Sequence, residues 1–139
     1  PDMAYYKFAE LMRAGKPIDV YNNGKMSRDF TYIDDIVESI VRLIPKPPIT
    51  KEDEVPTQLF NIGNGSPVNL LEFIEILEDK LGMTAEKNMM PMQPGDVERT
   101  WADVDDLNSY IDYRPKVSIE EGITNFVEWY REYYNLKSD

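Results

Sequence analysis

A mixed α/β fold, mostly helices joined by short strands, is what this chain predicts, and three observations carry that prediction. Stretches with apolar residues at helical spacing alternate with short β-favouring runs. Glycine, proline and asparagine punctuate the joints between them. With 139 residues, 42% of them hydrophobic and 12% aromatic, the chain is long and apolar enough for one folded domain spanning 1–139.

The elements follow in order. Met3 to Ala14 reads as a helix with Ala4, Phe8, Leu11 and Met12 on one face, stopped by Gly15 and Pro17. Ile18 to Tyr21 alternates as a short strand, and Asn22-Asn23-Gly24 is a turn. Asp29 to Ile33 supplies a second β-prone run. Asp34 or Asp35 then suits the cap of a helix burying Ile36, Val37, Ile40, Val41 and Ile44, ended by Pro45. Residues 45–57 hold four of the ten prolines with mixed charge, which makes them an exposed loop or insertion rather than a domain boundary, because amphipathic pattern resumes directly afterwards.

Leu59 to Ile62 reads as a strand closed by Gly63-Asn64-Gly65. Asn69, with Glu72 at the capping-box position, opens a helix that buries Leu70, Phe73, Ile74, Leu77 and Leu81 and stops at Gly82. Ala85 to Met90 is a further strand, and Pro91 to Asp96 is loop. Asp103 caps a short helix ending near Tyr110. Ser118 and Glu121 box the start of a last helix whose stripe is Ile119, Ile123, Phe126, Val127 and Tyr130. The resulting order, α-β-β-α-β-α-β-α-α, does not by itself complete a doubly wound sheet.

Composition also excludes chemistry. With no cysteine and no histidine, disulfides, thiolate reactions, Cys/His metal sites and histidine acid–base catalysis are ruled out. A net charge of −11, with no block of Lys and Arg, argues against a nucleic-acid partner. No apolar run approaches a membrane span, Pro1-Asp2-Met3 has no signal-peptide character, and the absence of disulfides suits a cytoplasmic location. The chain does not begin with Met, as expected of a piece of something longer. Neither a G-x-G-x-x-G turn nor a Walker A sequence is present. Tyr21 and Lys25 have Tyr-x-x-x-Lys spacing, but they straddle a turn that does not stack them as a helix would. The paired carboxylates Asp34/Asp35, Asp105/Asp106 and Glu120/Glu121 are accounted for by the helix dipole. No catalytic residue is therefore expected.

Three polar loops remain as ligand contacts, each with a plainer alternative. Arg28, at a strand-to-helix junction, suits a phosphate, or pairs with one of many nearby carboxylates. Tyr21, ending a strand, can lie against a planar base, or serve as a rim aromatic. Asp96, in the rigid turn Gln93-Pro94-Gly95-Asp96, can accept both hydroxyls of a ribose, or close an Asx-type turn.

Six pieces in order carry a resemblance: Pro1 to Ala4; Gly15 to Tyr21; Gly24 with Arg28 to Asp35; Phe60 to Gly63; Pro91 to Val97; and Thr100 to Asp103. Together they resemble the C-terminal substrate-binding part of the extended short-chain dehydrogenase/reductase family, and within it the NAD-dependent UDP-glucuronate 4-epimerases. The resemblance implies that Arg28 contacts a UDP-sugar's pyrophosphate. It lays Asp19, Val20 and Tyr21 along the uracil and puts Asp96 at the ribose. Where many relatives have a second phosphate-binding Arg, this chain has Gln93, which throws weight onto Arg28 and on Arg99 if it reaches. It also implies an N-terminal Rossmann domain, absent here, carrying NAD and the Tyr-x-x-x-Lys pair, in a homodimeric parent converting UDP-glucuronate to UDP-galacturonate through a 4-keto intermediate for surface polysaccharide synthesis. The chain by itself is expected neither to bind NAD nor to catalyse. Another UDP-sugar epimerase, a dehydratase or a decarboxylase, or a free-standing binding module, are the alternatives.

Overall fold

A computed structural model describes residues 3–49 and 55–136; Pro1, Asp2 and part of the 45–57 stretch lie outside the described residues. Among the described residues, five α-helices and four short strands follow in the order α1 (Ala4–Arg13), β1 (Ile18–Val20), β2 (Ser27–Arg28), α2 (Ile33–Leu43), β3 (Val68–Asn69), α3 (Leu70–Leu81), β4 (Lys87–Met89), α4 (Asp105–Ile111) and α5 (Ile119–Tyr133). The strands form two separate pairs. β1 and β4 run parallel, Asp19 opposite Asn88, whereas β2 and β3 are antiparallel, Ser27 opposite Asn69.

The core lies where α3 crosses α5, with α1 and β1 closing its sides. Phe73, Ile74 and Leu77 of α3, Tyr130 of α5, Ala9 of α1, and Ile18 and Val20 of β1 are fully buried. α3 behaves as its pattern predicts: the Asn69 side chain accepts from the Leu71 N–H at 2.9 Å, and Gly82, at φ +68°, takes the left-handed turn that ends it. Ser118 likewise accepts from the Glu121 N–H at 3.1 Å to start α5. Polar groups fasten α1 to α5: the Tyr130 hydroxyl donates to Glu10 while Arg13 Nε donates to the Tyr130 oxygen at 3.0 Å. Burial and the Glu10 carboxylate raise the Tyr130 pKa to about 12.

Four expectations are corrected. The run Asp29 to Ile33 is not a strand: pairing stops after Arg28, because Phe30 turns inward to stack on Phe73, ring centroids 4.6 Å apart, and Ile33 already begins α2. Neither Asp34 nor Asp35 caps α2. The cap position is Tyr32, without a side-chain bond, and Asp35 is buried, accepting from the Tyr113 hydroxyl at 2.6 Å and from the Lys116 and Val117 amides at 3.0 and 3.1 Å.

The stripe assigned to the inside of α2 faces outward. Val37, Ile40, Val41 and Ile44 are 49%, 47%, 54% and 75% exposed, and the residues α2 buries are Asp35 and Ser39. Leu59 to Ile62 forms no strand, and Leu59 is 92% exposed. The strand count survives only because Val68–Asn69, a two-residue pair with β2, takes that place in the order. The Asp103 cap is nearly right: the cap position of α4 is Val104, and Asp103 Oδ1 accepts from the Asp105 amide at 3.3 Å.

Candidate functional site

The candidate site is assembled on β2. One side of β2 pairs with β3, and its Ser27 also bridges to Arg99: the Ser27 amide donates to the Glu98 carbonyl at 2.8 Å and the Thr100 amide to the Ser27 carbonyl at 3.2 Å. This short ladder brings residues 96–100 beside residues 27 and 28, about seventy positions away in the chain. Arg28 completes the join. Its Nη2 donates to Asp96 Oδ1 at 2.7 Å, and its Nη1 donates to the Ser27 carbonyl at 3.0 Å and the Glu98 carbonyl at 3.4 Å. Both side chains of the Arg28–Asp96 pair are about 30% exposed, so solvent reaches it but does not swamp it.

Two of the predicted residues therefore touch. The plainer reading of Arg28 also holds, since it is paired with a carboxylate, whereas Asp96 Oδ1 accepts from the very next amide, Val97 N–H, at 2.8 Å, one residue short of the Asx-type bond expected for it. The turn that presents Asp96 is closed by its own amide donating to the Gln93 carbonyl at 3.2 Å, with Gly95 at φ +84°. The Gln93 side chain is exposed. Arg99 is held over the face of Trp101, its guanidinium carbon 4.7 Å from the ring centroid.

Asp19 and Val20 sit on the other strand pair, with Tyr21 just after it, and among the described residues no hydrogen bond or ion pair links their side chains to Arg28 or Asp96. Val20 is buried, and its carbonyl accepts from the Met90 amide at 2.9 Å; Asp19 is exposed and accepts from the Asn88 side chain at 2.8 Å. The edge of β1 away from β4 has no strand neighbour among the described residues. Tyr21 is half-buried at the start of a tight turn in which Asn22, Asn23 and Gly24 all have positive φ. Gly24 is required there twice over, by its φ of +76° and because an added Cβ would lie 2.5 Å from Leu71 Cγ.

Asp29 was missed by sequence reasoning, which took it for a strand residue. Its Oδ2 accepts from the Gly65 amide at 2.9 Å and the Ala102 amide at 3.2 Å, tying together three segments distant in sequence, while its Oδ1 is buried without a partner among the described residues. Gly63 lets the chain pass so close, since a Cβ there would stand 3.0 Å from Asp29 Oδ2 and 2.8 Å from the Ala102 Cβ. The Asp next to a basic residue in Arg28-Asp29-Phe30 was the only available signal. A shallow groove of about 400 Å³ runs beside it, lined by Asp29, Thr31, Asn61, Trp101 and Asp103. A second hollow of about 460 Å³ lies between Gln58–Phe60 and α4. Neither hollow is lined by Arg28, Asp96 or Tyr21.

Comparison with known proteins gives these segments a common setting. The family model described as GDP-mannose 4,6 dehydratase matches residues 5–126. Protein CapI of Staphylococcus aureus is 50% identical over 96% of this chain and 43% of its own length. A Rhizobium meliloti protein named "Probable UDP-glucuronate 4-epimerase" is 48% identical, again over 96% of this chain and 43% of its own. Among solved structures, the UDP-glucuronic acid 4-epimerase from Bacillus cereus in complex with UDP-glucuronic acid and NAD superposes with a TM-score of 0.81 at 30% identity, over 96% of this chain and 41% of that one. The chain thus spans less than half the length of the relatives it matches. No helix among the described residues is long and apolar enough to cross a membrane.

Proposed function

Because the chain belongs to the GDP-mannose 4,6 dehydratase family, within the extended short-chain dehydrogenases/reductases, we propose that it is the C-terminal, nucleotide-sugar-binding part of a UDP-glucuronate 4-epimerase. The observation that carries this reading is the meeting of Arg28 with Asp96 on the β2 ladder. It sets a guanidinium suited to phosphate next to a carboxylate suited to a ribose diol, which is the pairing a nucleoside diphosphate demands. On this reading Arg28 holds the pyrophosphate and Asp96 the ribose. The free edge of β1 at Asp19 and Val20 lies along the uracil, with Tyr21 beside it. Gln93 and Arg99 flank the phosphates. The whole of 1–139 is one substrate-binding unit, with 45–57 as an exposed insertion.

NAD, which the family reaction uses to take hydride from the sugar and return it, belongs in this proposal to the rest of a longer cytoplasmic protein. The residues present here do not fit it. α2, α3, α4 and α5 each carry a carboxylate in the first turn, which disfavours a dinucleotide pyrophosphate there, and α1, whose first turn has none, follows no strand among the described residues to build the strand–turn–helix cradle. No step of hydride or proton transfer is assigned to this chain. Support for a partner segment comes instead from α2 and Leu59, whose outward apolar groups suit burial against another layer.

The test is Arg28→Ala in the full-length protein. It is expected to weaken UDP binding by roughly 1.5–3 kcal/mol, the range for hydrogen bonds to charged groups, as read by calorimetry. Unchanged UDP affinity sinks the reading. The dehydratase name of the matching family model favours a second reading, with the same binding site serving a 4,6-dehydration. Product analysis with a panel of UDP-sugars separates the two.

A further inference from the structure

We infer that the Arg28–Asp96 pair sets the specificity of the site: each side chain occupies the other in place of ligand, so that only a molecule presenting an anion and a diol together satisfies both when it enters. The inference rests on the nucleotide-sugar reading above and adds to it a reason why partial ligands are refused.

Arg28 has five N–H donors on a planar fork. Two backbone carbonyls, of Ser27 and Glu98, hold Nη1, so the fork stays with the ladder whatever happens to Asp96. Nη2 points into Asp96 Oδ1, which stands where an anionic oxygen of a ligand would be received. The carboxylate is the movable partner. Apart from Arg28, the bond its Oδ1 accepts among the described residues comes from the next amide, Val97 N–H, at 2.8 Å, a contact local to the turn that carries it. The exposure of the pair places it between two extremes. A fully buried pair would cost several kcal/mol to open, and a fully exposed one would offer no discrimination.

The consequence is an exchange with two halves. Bare pyrophosphate approaches Arg28 against the charge of the Asp96 carboxylate and brings no donor for that carboxylate to accept from, in a chain whose net charge is already −11. A nucleoside offers hydroxyls to Asp96 but no anion to Arg28. A nucleoside diphosphate supplies both replacements at once, and the cost of breaking the ion pair is offset on each side.

Calorimetry with inorganic pyrophosphate, uridine and UDP, on the full-length protein and its Asp96→Asn variant, tests this. Asparagine keeps an oxygen for the Val97 amide and removes the charge. The variant is expected to bind pyrophosphate about two- to fivefold more tightly than the wild type, and to lose much of the wild type's preference for UDP over pyrophosphate. Asp96→Ala must move pyrophosphate binding in the same direction. Pyrophosphate affinity that is unchanged or weaker in Asp96→Asn overturns the inference. If the wild type binds UDP and the variant gains nothing, the nucleotide-sugar reading stands and the exchange falls. If the wild type ignores UDP, the nucleotide-sugar reading falls and the exchange built on it falls with it, whatever the variant does with pyrophosphate.

Discussion

Helices α2 and α3 have similar length and similarly apolar faces, yet they use them in opposite ways. α3 buries Phe73, Ile74 and Leu77 against α1, β1 and α5 and leaves Glu72, Glu75 and Asp79 in water. α2 turns Asp35 and Ser39 inward and leaves Val37, Ile40, Val41 and Ile44 exposed by 47% to 75%. Its attachment is polar: three donors converge on the Asp35 carboxylate, and Arg42 lies over the Tyr113 ring at 4.8 Å, while the buried Ser39 hydroxyl is satisfied within the helix by the Asp35 carbonyl at 2.7 Å. The contrast teaches that an apolar stripe says a surface will be covered but not by which part of a protein. α3 belongs to a core that closes within the chain. α2 is held in place by one face and, on the proposed reading, offers the other to a neighbouring layer.

The sharpest way to break this comparison is Phe73→Ala. Removing a fully buried ring that also supports Phe30, and through it the segment after Arg28, is expected to cost about 3–5 kcal/mol in urea unfolding. A loss below 1 kcal/mol, judged against the range for such truncations, would mean that α3 is not the centre of the core.

Asp35→Ala comes next, at about 3 kcal/mol, because it strands a hydroxyl and two amides. The same attachment has a pH signature. The Asp35 bond, with burial, pushes the Tyr113 hydroxyl up to about 12 from its usual 10.0. Since the folded value is raised, the stability it brings is fully present below pH 10 and is lost as pH climbs through about 12. Tyr113→Phe is expected to remove that part of the alkaline decline, seen by following unfolding midpoints between pH 9 and about 12.

Val41→Ser sits at the other end. On a 54% exposed side chain the change should stay within about 0.5 kcal/mol in this chain, and should reduce self-association seen by light scattering. A penalty comparable to that of Phe73→Ala would show the stripe to be covered after all.

How legible the molecule was from its residues depended on range. The Asn69 and Ser118 caps, the Gly82 stop and the stripes of α3 and α5 were readable because each is decided within a few residues by local hydrogen bonding and helical spacing. The absence of cysteine and histidine, the acidic charge and the short motifs around Arg28 and Asp96 were likewise present in the residues alone. They removed cysteine and histidine chemistry and pointed to Arg28 and Asp96 as candidate ligand contacts.

Tertiary structure decided the rest. That Arg28 and Asp96 touch depends on the bridge from Ser27 to residues 98–100, a contact no local rule encodes. Asp35 looked like a cap because an acid at a helix start is worth having anywhere, and only the arrival of Tyr113, Lys116 and Val117 made it an anchor instead. Leu59 to Ile62 has strand-like residues but no paired strand among the described ones, and β-propensity has no effect without a ladder to join. Local preference thus determined where α3 and α5 begin, where α3 ends and which side-chain chemistries were available. Only packing determined which faces are covered and which distant side chains share a charge.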